Sequence, residues 1–139
     1  MSKIVPTLGR IVYFTLAPWQ AEAINARRDD GLRNSHKHLW QADGTRVDFG
    51  NRVKAGDIVP AMVVAVWGKS PECAVNLQCF LDGNDTLWVT STSVEDEHTD
   101  GRHTEGRYHW MPYQVGQAKK HEADPKPDAA SPYRCGSLL

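Results

Sequence analysis

Short apolar runs broken by Gly-, Pro- and Asn-containing turns recur along the chain, and most of them read as strands. Residues 10–16, Arg-Ile-Val-Tyr-Phe-Thr-Leu, are rich in β-branched and aromatic types and predict a first strand. Pro18 then occupies a first helical position. Residues 18–29 are rich in Ala, Glu, Gln and Arg, with Trp19, Ala23 and Ala26 at i, i+4, i+7 and Ile24 beside them. This predicts one short helix, with Gly31 placed to stop it. Residues 31–56 are polar and punctuated by glycines, so a lid, an oligomer contact or disorder is expected there.

The second half alternates more regularly. Residues 58–67, Ile-Val-Pro-Ala-Met-Val-Val-Ala-Val-Trp, are apolar on both faces. Both faces are therefore expected to be covered, one by the core and one by the helix or another subunit. Pro60 cannot donate to a ladder and marks an edge or the strand's beginning. Strands are expected over 73–82 and 86–92, with 95–106 an acidic loop and 107–113 a last strand. From Gln117 the composition shifts to Lys, Asp, Pro, Ala and Ser. The expected organisation is one β-rich domain over 1–116 and a flexible tail over 117–139. The expected fold is mainly β: a small twisted antiparallel sheet, or an SH3-like barrel, of about five strands with one short helix.

Strand parity sorts the hairpin that carries the chemistry. Val75, Leu77, Cys79 and Leu81 share one face with Leu87 and Val89. Asn76, Gln78, Phe80, Trp88 and Thr90 fall on the other. A three-residue loop, Gly83-Asn84-Asp85, sets Asp82 opposite Thr86, Phe80 opposite Trp88 and Gln78 opposite Thr90. Aromatic rings beside amides and hydroxyls suit a flat heteroaromatic ligand such as a nucleobase. The same pattern also suits an aromatic cross-strand pair packed under a helix or in a dimer. Among the arginines, Arg107 begins the last strand near this face and is the candidate phosphate partner. His109 lies beside it.

The 139 residues suit a single core, and a net charge of −1 argues against general nucleic-acid binding. No segment has the apolar length of a signal peptide or a membrane span, so a cytoplasmic location is expected. The odd set Cys73, Cys79 and Cys135 contains no Cys-x-x-Cys pair and reads as buried thiols in a reducing compartment. Neither Cys73 nor Cys79 makes a convincing nucleophile with His109. His36 and His38, and His98, His103 and His109 near Glu95-Asp96-Glu97, match no metal-ligand spacing. They read as solvated loop histidines, so no metal and no cofactor is expected. No phosphate loop, nucleophile elbow or zinc-protease helix is present, and no catalytic residue is assigned.

Three segments carry a resemblance: Gly56-Asp57-x-x-Pro60-Ala61-x-Val63-Val64-x-Val66-Trp67, Ala74-Val75-Asn76-Leu77-Gln78-x-Phe80-x-Asp82-Gly83-Asn84, and His109-Trp110-x-Pro112. Over residues 6–113 the chain resembles small bacteriophage- and prophage-encoded proteins and, among these, the Thoeris anti-defence sponges. The resemblance implies a homo-oligomer in the host cytoplasm that sequesters a nucleotide-derived immune signal, a cyclic nucleotide or cyclic ADP-ribose isomer, without cleaving it. Asn76 and Phe80 would reach the ligand. The tail after Gln117 lies outside the resemblance. The alternative is a protein–protein inhibitor of a host enzyme or a minor virion or assembly component, with Tyr108, Trp110 and Tyr113 as exposed anchors.

Overall fold

Strand β1 (Ile11–Thr15) ends three residues short of Pro18, which opens helix α1 (Pro18–Asn34). The computed structural model describes residues 4–34 and 49–123. The remaining elements are β2 (Ile58–Val66), β3 (Val75–Phe80), β4 (Thr86–Thr92), β5 (Tyr108–His109) and α2 (Pro112–Ala123). The five strands form one antiparallel sheet in the order β4-β3-β2-β1-β5, so the protein is mainly β, as expected. The sheet does not close into a barrel. Instead the chain leaving β4 makes an isolated parallel bridge, Val94 to Tyr108, at the far edge. Irregularities at Val63/Ala65 and Val75/Leu77 favour that curl, because a bulge sharpens local twist.

Alternation decides which side chains are buried. Val12, Phe14, Val59, Ala61, Val63, Val75, Leu77, Cys79 and Val89 point to the inner face and form the core with Leu16, Ile24, Leu81, Tyr108 and Trp110. The outer face of β2 is not covered. Within the single chain Ile58 and Val64 are 46% and 40% exposed, so of the two expected covers the helix is not the one used. Pro60 sits inside a central strand, yet its missing N–H breaks no bond. The Val63 amide donates to the Arg10 carbonyl, so odd residues of β2 face β1. The Pro60 nitrogen therefore faces β3, where pairing begins only at Ala61–Cys79.

The two helices start alike. Ala17-Pro18-Trp19-Gln20 and Met111-Pro112-Tyr113-Gln114 each put proline at the first helical position. In each, the glutamine side chain turns back to accept from the amide just before the helix, Gln20 from Ala17 at 2.8 Å and Gln114 from Met111 at 2.9 Å. Helix α2 corrects two expectations. The last strand is two residues long rather than spanning 107–113, and residues 117–123 are helical rather than tail. Residues 124–139 lie outside the described residues. Gln114 also donates to the Ile11 carbonyl, which ties α2 to β1.

Helix α1 runs past Gly31, and its buried face is not the Trp19/Ala23/Ala26 stripe. Trp19 is 66% exposed, whereas Gln20, Ala21, Ile24 and Arg28 are buried. Two polar tasks fix the helix's rotation: Gln20 must cap, and Arg28 must reach Asp85. Gly31 leaves room rather than ending the helix. A Cβ there would meet the Phe49 ring at 2.9 Å. The expectation for 31–56 otherwise falls largely on residues 35–48, outside the described residues.

Arg28 is 3% exposed. Its Nη1 donates to Asp85 Oδ2 at 2.7 Å, and its Nε donates to the Asn51 carbonyl at 3.4 Å. Gly50 and Gly83 pair beside the guanidinium, where a Cβ on Gly83 would come within 2.6 Å of Arg28 Nη2. The Asp82 carbonyl accepts from the Asn51 amide at 2.8 Å. These contacts draw residues 81–85 into a five-residue connection. The pairs are consequently Phe80–Thr86, Gln78–Trp88 and Leu77–Val89, two residues from the expected register, with the same faces preserved.

Arg28→Ala is expected to lower unfolding free energy by about 1–3 kcal/mol, since it removes a buried side chain and its hydrogen bonds to Asp85 and the Asn51 carbonyl while Arg27 still reaches the carboxylate. Arg27, which is exposed and reaches the same carboxylate, falls under about 1 kcal/mol when replaced by alanine. Urea denaturation of both variants measures the contrast. Burial pushes the Cys79 thiol up to about 12. Cys79 should therefore resist iodoacetamide at pH 8 in the native protein and react only in denaturant, as peptide mapping by mass spectrometry would record.

Candidate functional site

The outer sheet face carries the rings that alternation assigns to it. Phe80 and Trp88 are 42% and 62% exposed on the same side, diagonal to one another rather than opposed. Gln78 lies between them in the ladder, paired with Trp88. Its Oε1 is buried and has no hydrogen-bond partner. Thr90 is exposed farther along β4. Asn76 has a different task. Its Oδ1 accepts from the Ser91 amide at 2.9 Å and from the Trp67 indole at 3.1 Å. Ser91 holds a positive φ of 54°, so Asn76 secures a strained point of the β3–β4 irregularity and anchors Trp67, itself exposed.

Arg107 and His109 are elsewhere. Both belong to the β5 edge, and β2 and β1 intervene between β5 and β3. Three strand spacings separate the two groups, roughly 14 Å along the sheet. Arg107 donates through Nη1 to the Ser93 hydroxyl and lines a hollow of ≈ 370 Å³ with Ile4, Glu72, Glu95 and Trp110. The seven predicted residues therefore divide into a ring-and-amide set, Asn76, Gln78, Phe80, Trp88 and Thr90, and an edge pair, Arg107 and His109. Tyr108 and Trp110, expected as exposed anchors, are buried at 0% and 9% exposure, because they face the core from β5 and its end. Tyr113 remains exposed.

Around His109 the structure assembles a second constellation. The Val94–Tyr108 bridge, extended by Glu95 N–H donating to the Tyr108 carbonyl at 2.9 Å, lays Glu95 alongside β5. The loop that follows returns so that Thr104 N–H donates to Glu95 Oε2 at 2.8 Å. His103 Nδ1 then lies 2.8 Å from Glu95 Oε1. The His103 and His109 rings stack with centroids 3.7 Å apart and planes 6° from parallel, and Tyr13 meets His109 edge-on at 5.6 Å. His109 Nδ1 faces the same Glu95 oxygen at 3.9 Å, too far to bond, and is buried without a partner. These residues are not separate solvated loop histidines: the His109 side chain is 12% exposed and that of His103 is 35% exposed.

Among the described residues, Glu95, His103 and His109 are the group whose donor atoms could jointly hold a metal ion, all within 4.8 Å of one another. Burial lowers the His109 pKa, His103 lowers it further, and Glu95 opposes both. His103 and Glu95 carry no spacing signal along the chain. Their meeting with His109 arises from the long-range bridge at Val94, which no local pattern encodes.

No helix among the described residues is long and apolar enough to cross a membrane. Comparison of the chain with protein-family models, with curated proteins and with solved structures gave no match.

His109 binds its proton less readily folded than unfolded, so unfolding takes up a proton below pH 6.5. Its contribution to stability is flat above that pH. Stability then falls as pH drops from 6.5 toward the lower folded value. In chelator-treated protein the urea midpoint should decline across this window, and His109→Gln should flatten part of that decline.

Proposed function

We propose that the protein binds a planar, nucleotide-type ligand on the outer face of its sheet and holds it without breaking a bond. The observation that carries this reading is the pair of exposed rings, Phe80 and Trp88, flanking the unpartnered acceptor of Gln78 on one face. Exposed rings on a pleated surface give stacking area at little ordering cost, and neighbouring amides and hydroxyls supply directional contacts. Trp67 extends the aromatic surface past Asn76. The open outer side of β2 suits a second copy of the chain, and a ligand held between two such faces would be stacked from both sides. With the resemblance to anti-defence sponges, the proposed role is sequestration of a cyclic nucleotide or cyclic ADP-ribose isomer by a phage-encoded homo-oligomer in the host cytoplasm. Arg107 and His109 lie too far from the rings to serve one small ligand together with them in a single subunit.

A second reading, a protein partner on the same face, draws on the exposed Ile58, Val64 and Trp67. A stoichiometric protein recovered by affinity purification from an infected host, with no bound small molecule, would favour it.

The test is calorimetry of the purified protein with a panel of cyclic nucleotides and cyclic ADP-ribose isomers. One of them should bind and be recovered chemically unaltered after heat denaturation. Trp88→Ala should weaken that binding roughly ten- to a hundredfold, the worth of one stacked base. Absence of binding across the panel, turnover of the ligand, or unchanged affinity in Trp88→Ala would overturn the reading.

A further inference from the structure

We propose that Glu95, His103 and His109 form a site for a divalent transition-metal ion of the zinc class, bound through two imidazoles and one carboxylate. The site is independent of the ring-bearing face, from which it lies across the sheet.

Four observations converge on it. The first is the donor set. Imidazole nitrogens suit zinc, copper, nickel and iron, whereas calcium and magnesium require a shell of oxygens that a single carboxylate does not supply. Two histidines and one glutamate also make up a familiar three-ligand zinc set that leaves a position open.

The second is spacing. Ligands about 2.0–2.2 Å from a tetrahedral ion lie about 3.4 Å from one another. His103 Nδ1 to Glu95 Oε1 is 2.8 Å, and His109 Nδ1 to the same oxygen is 3.9 Å. One gap is too short and the other too long by about half an ångström, and both rings must tilt out of their stack for their in-plane lone pairs to meet at one ion.

The third is an unmet need. His109 Nδ1 is buried, aimed at Glu95 and without a partner. A buried polar nitrogen left so is unfavourable, and a cation between it and the carboxylate would remove that penalty.

The fourth is support around the ligands. Glu95 Oε2 is held by the Thr104 amide, which turns Oε1 toward the rings, and the Tyr13 ring stands edge-on against His109. The outer side of the cluster opens onto a hollow of ≈ 470 Å³, also lined by His98 and Lys119, through which an ion or a fourth ligand has access.

In the free protein the His103–Glu95 contact uses a proton on Nδ1. In a neutral ring, binding the ion at Nδ1 shifts that proton to Nε2 rather than releasing it.

The experiment uses untagged full-length protein, stripped with chelator and titrated with Zn(II) by calorimetry in buffers of different ionisation enthalpy. Co(II) absorption and native mass spectrometry accompany it. Expected are one ion per chain and Co(II) bands of tetrahedral intensity. His103→Ala alters an exposed loop residue and should leave the fold intact by circular dichroism. It and Glu95→Gln should each weaken Zn(II) binding by more than the roughly 10–100-fold that loss of a mere supporting contact produces. Zn(II) should also raise the melting temperature of the wild-type chain and not that of His103→Ala. Failure to bind Zn(II) or Co(II), or binding that persists undiminished in both variants and so resides elsewhere, for example at His36 and His38, would overturn the proposal.

Discussion

One buried cation organises the end of the sheet opposite the histidines. Arg28 reaches from the middle of α1 into a gap that only the absence of side chains at Gly50 and Gly83 keeps open. There it meets the Asp85 carboxylate and the Asn51 carbonyl. A guanidinium in such a place needs partners, since an unpaired buried charge is among the most destabilising features a core can contain. Meeting that need fixes three things together: the rotation of α1, the docking of Phe49–Asn51 against the β3–β4 connection, and the length of that connection. The register of β4 follows, and with it the diagonal arrangement of Phe80 and Trp88.

Most of the sheet was legible along the chain because a strand's periodicity is local. The β-branched runs at 11–15, 58–66, 75–80 and 86–92 are strands, and alternation assigned Phe80, Trp88, Leu77 and Val89 to their correct faces. Register was not legible. Gly83-Asn84-Asp85 has the composition of a tight turn, but Asp82 and Asp85 are engaged by Asn51 and Arg28, residues more than 30 positions away. Helix α2 could have been found. Met111-Pro112-Tyr113-Gln114 repeats the helix start at Ala17-Pro18-Trp19-Gln20. The aromatic residues around Pro112 read as strand instead, and the glutamine three positions beyond Met111 carried the opposing signal. The histidine cluster lay beyond reach, because it depends on a contact between Val94 and Tyr108 rather than on spacing.

The two ends of the outer face thus have different chemistry on a shared scaffold. At the β3–β4 end, rings stand in the open and Asn76, which holds the bulge, also holds the Trp67 indole. At the β5 edge, the rings are imidazoles, half enclosed and facing a carboxylate. Tyr13 and Pro60 occupy the strands between, and their direct pairing makes the middle of the face stiff and apolar. The two regions are linked through backbone ladders and not through a common cavity, so each can be altered without dismantling the other.

Strand order has a consequence for how the chain is made. β1 leaves the ribosome first, but both of its neighbours, β2 and β5, come from later sequence, and β5 follows it by more than 90 residues. At elongation rates of about 5–20 residues per second, that partner arrives some seconds afterwards. Until then the nascent chain carries a central strand with one open side, a shape that invites pairing with another chain. The carbonyl of Ile11 receives its contact from Gln114 later still. The first turn of α2 is thus a latch on β1, and chains truncated before α2 would remain unsealed at that edge.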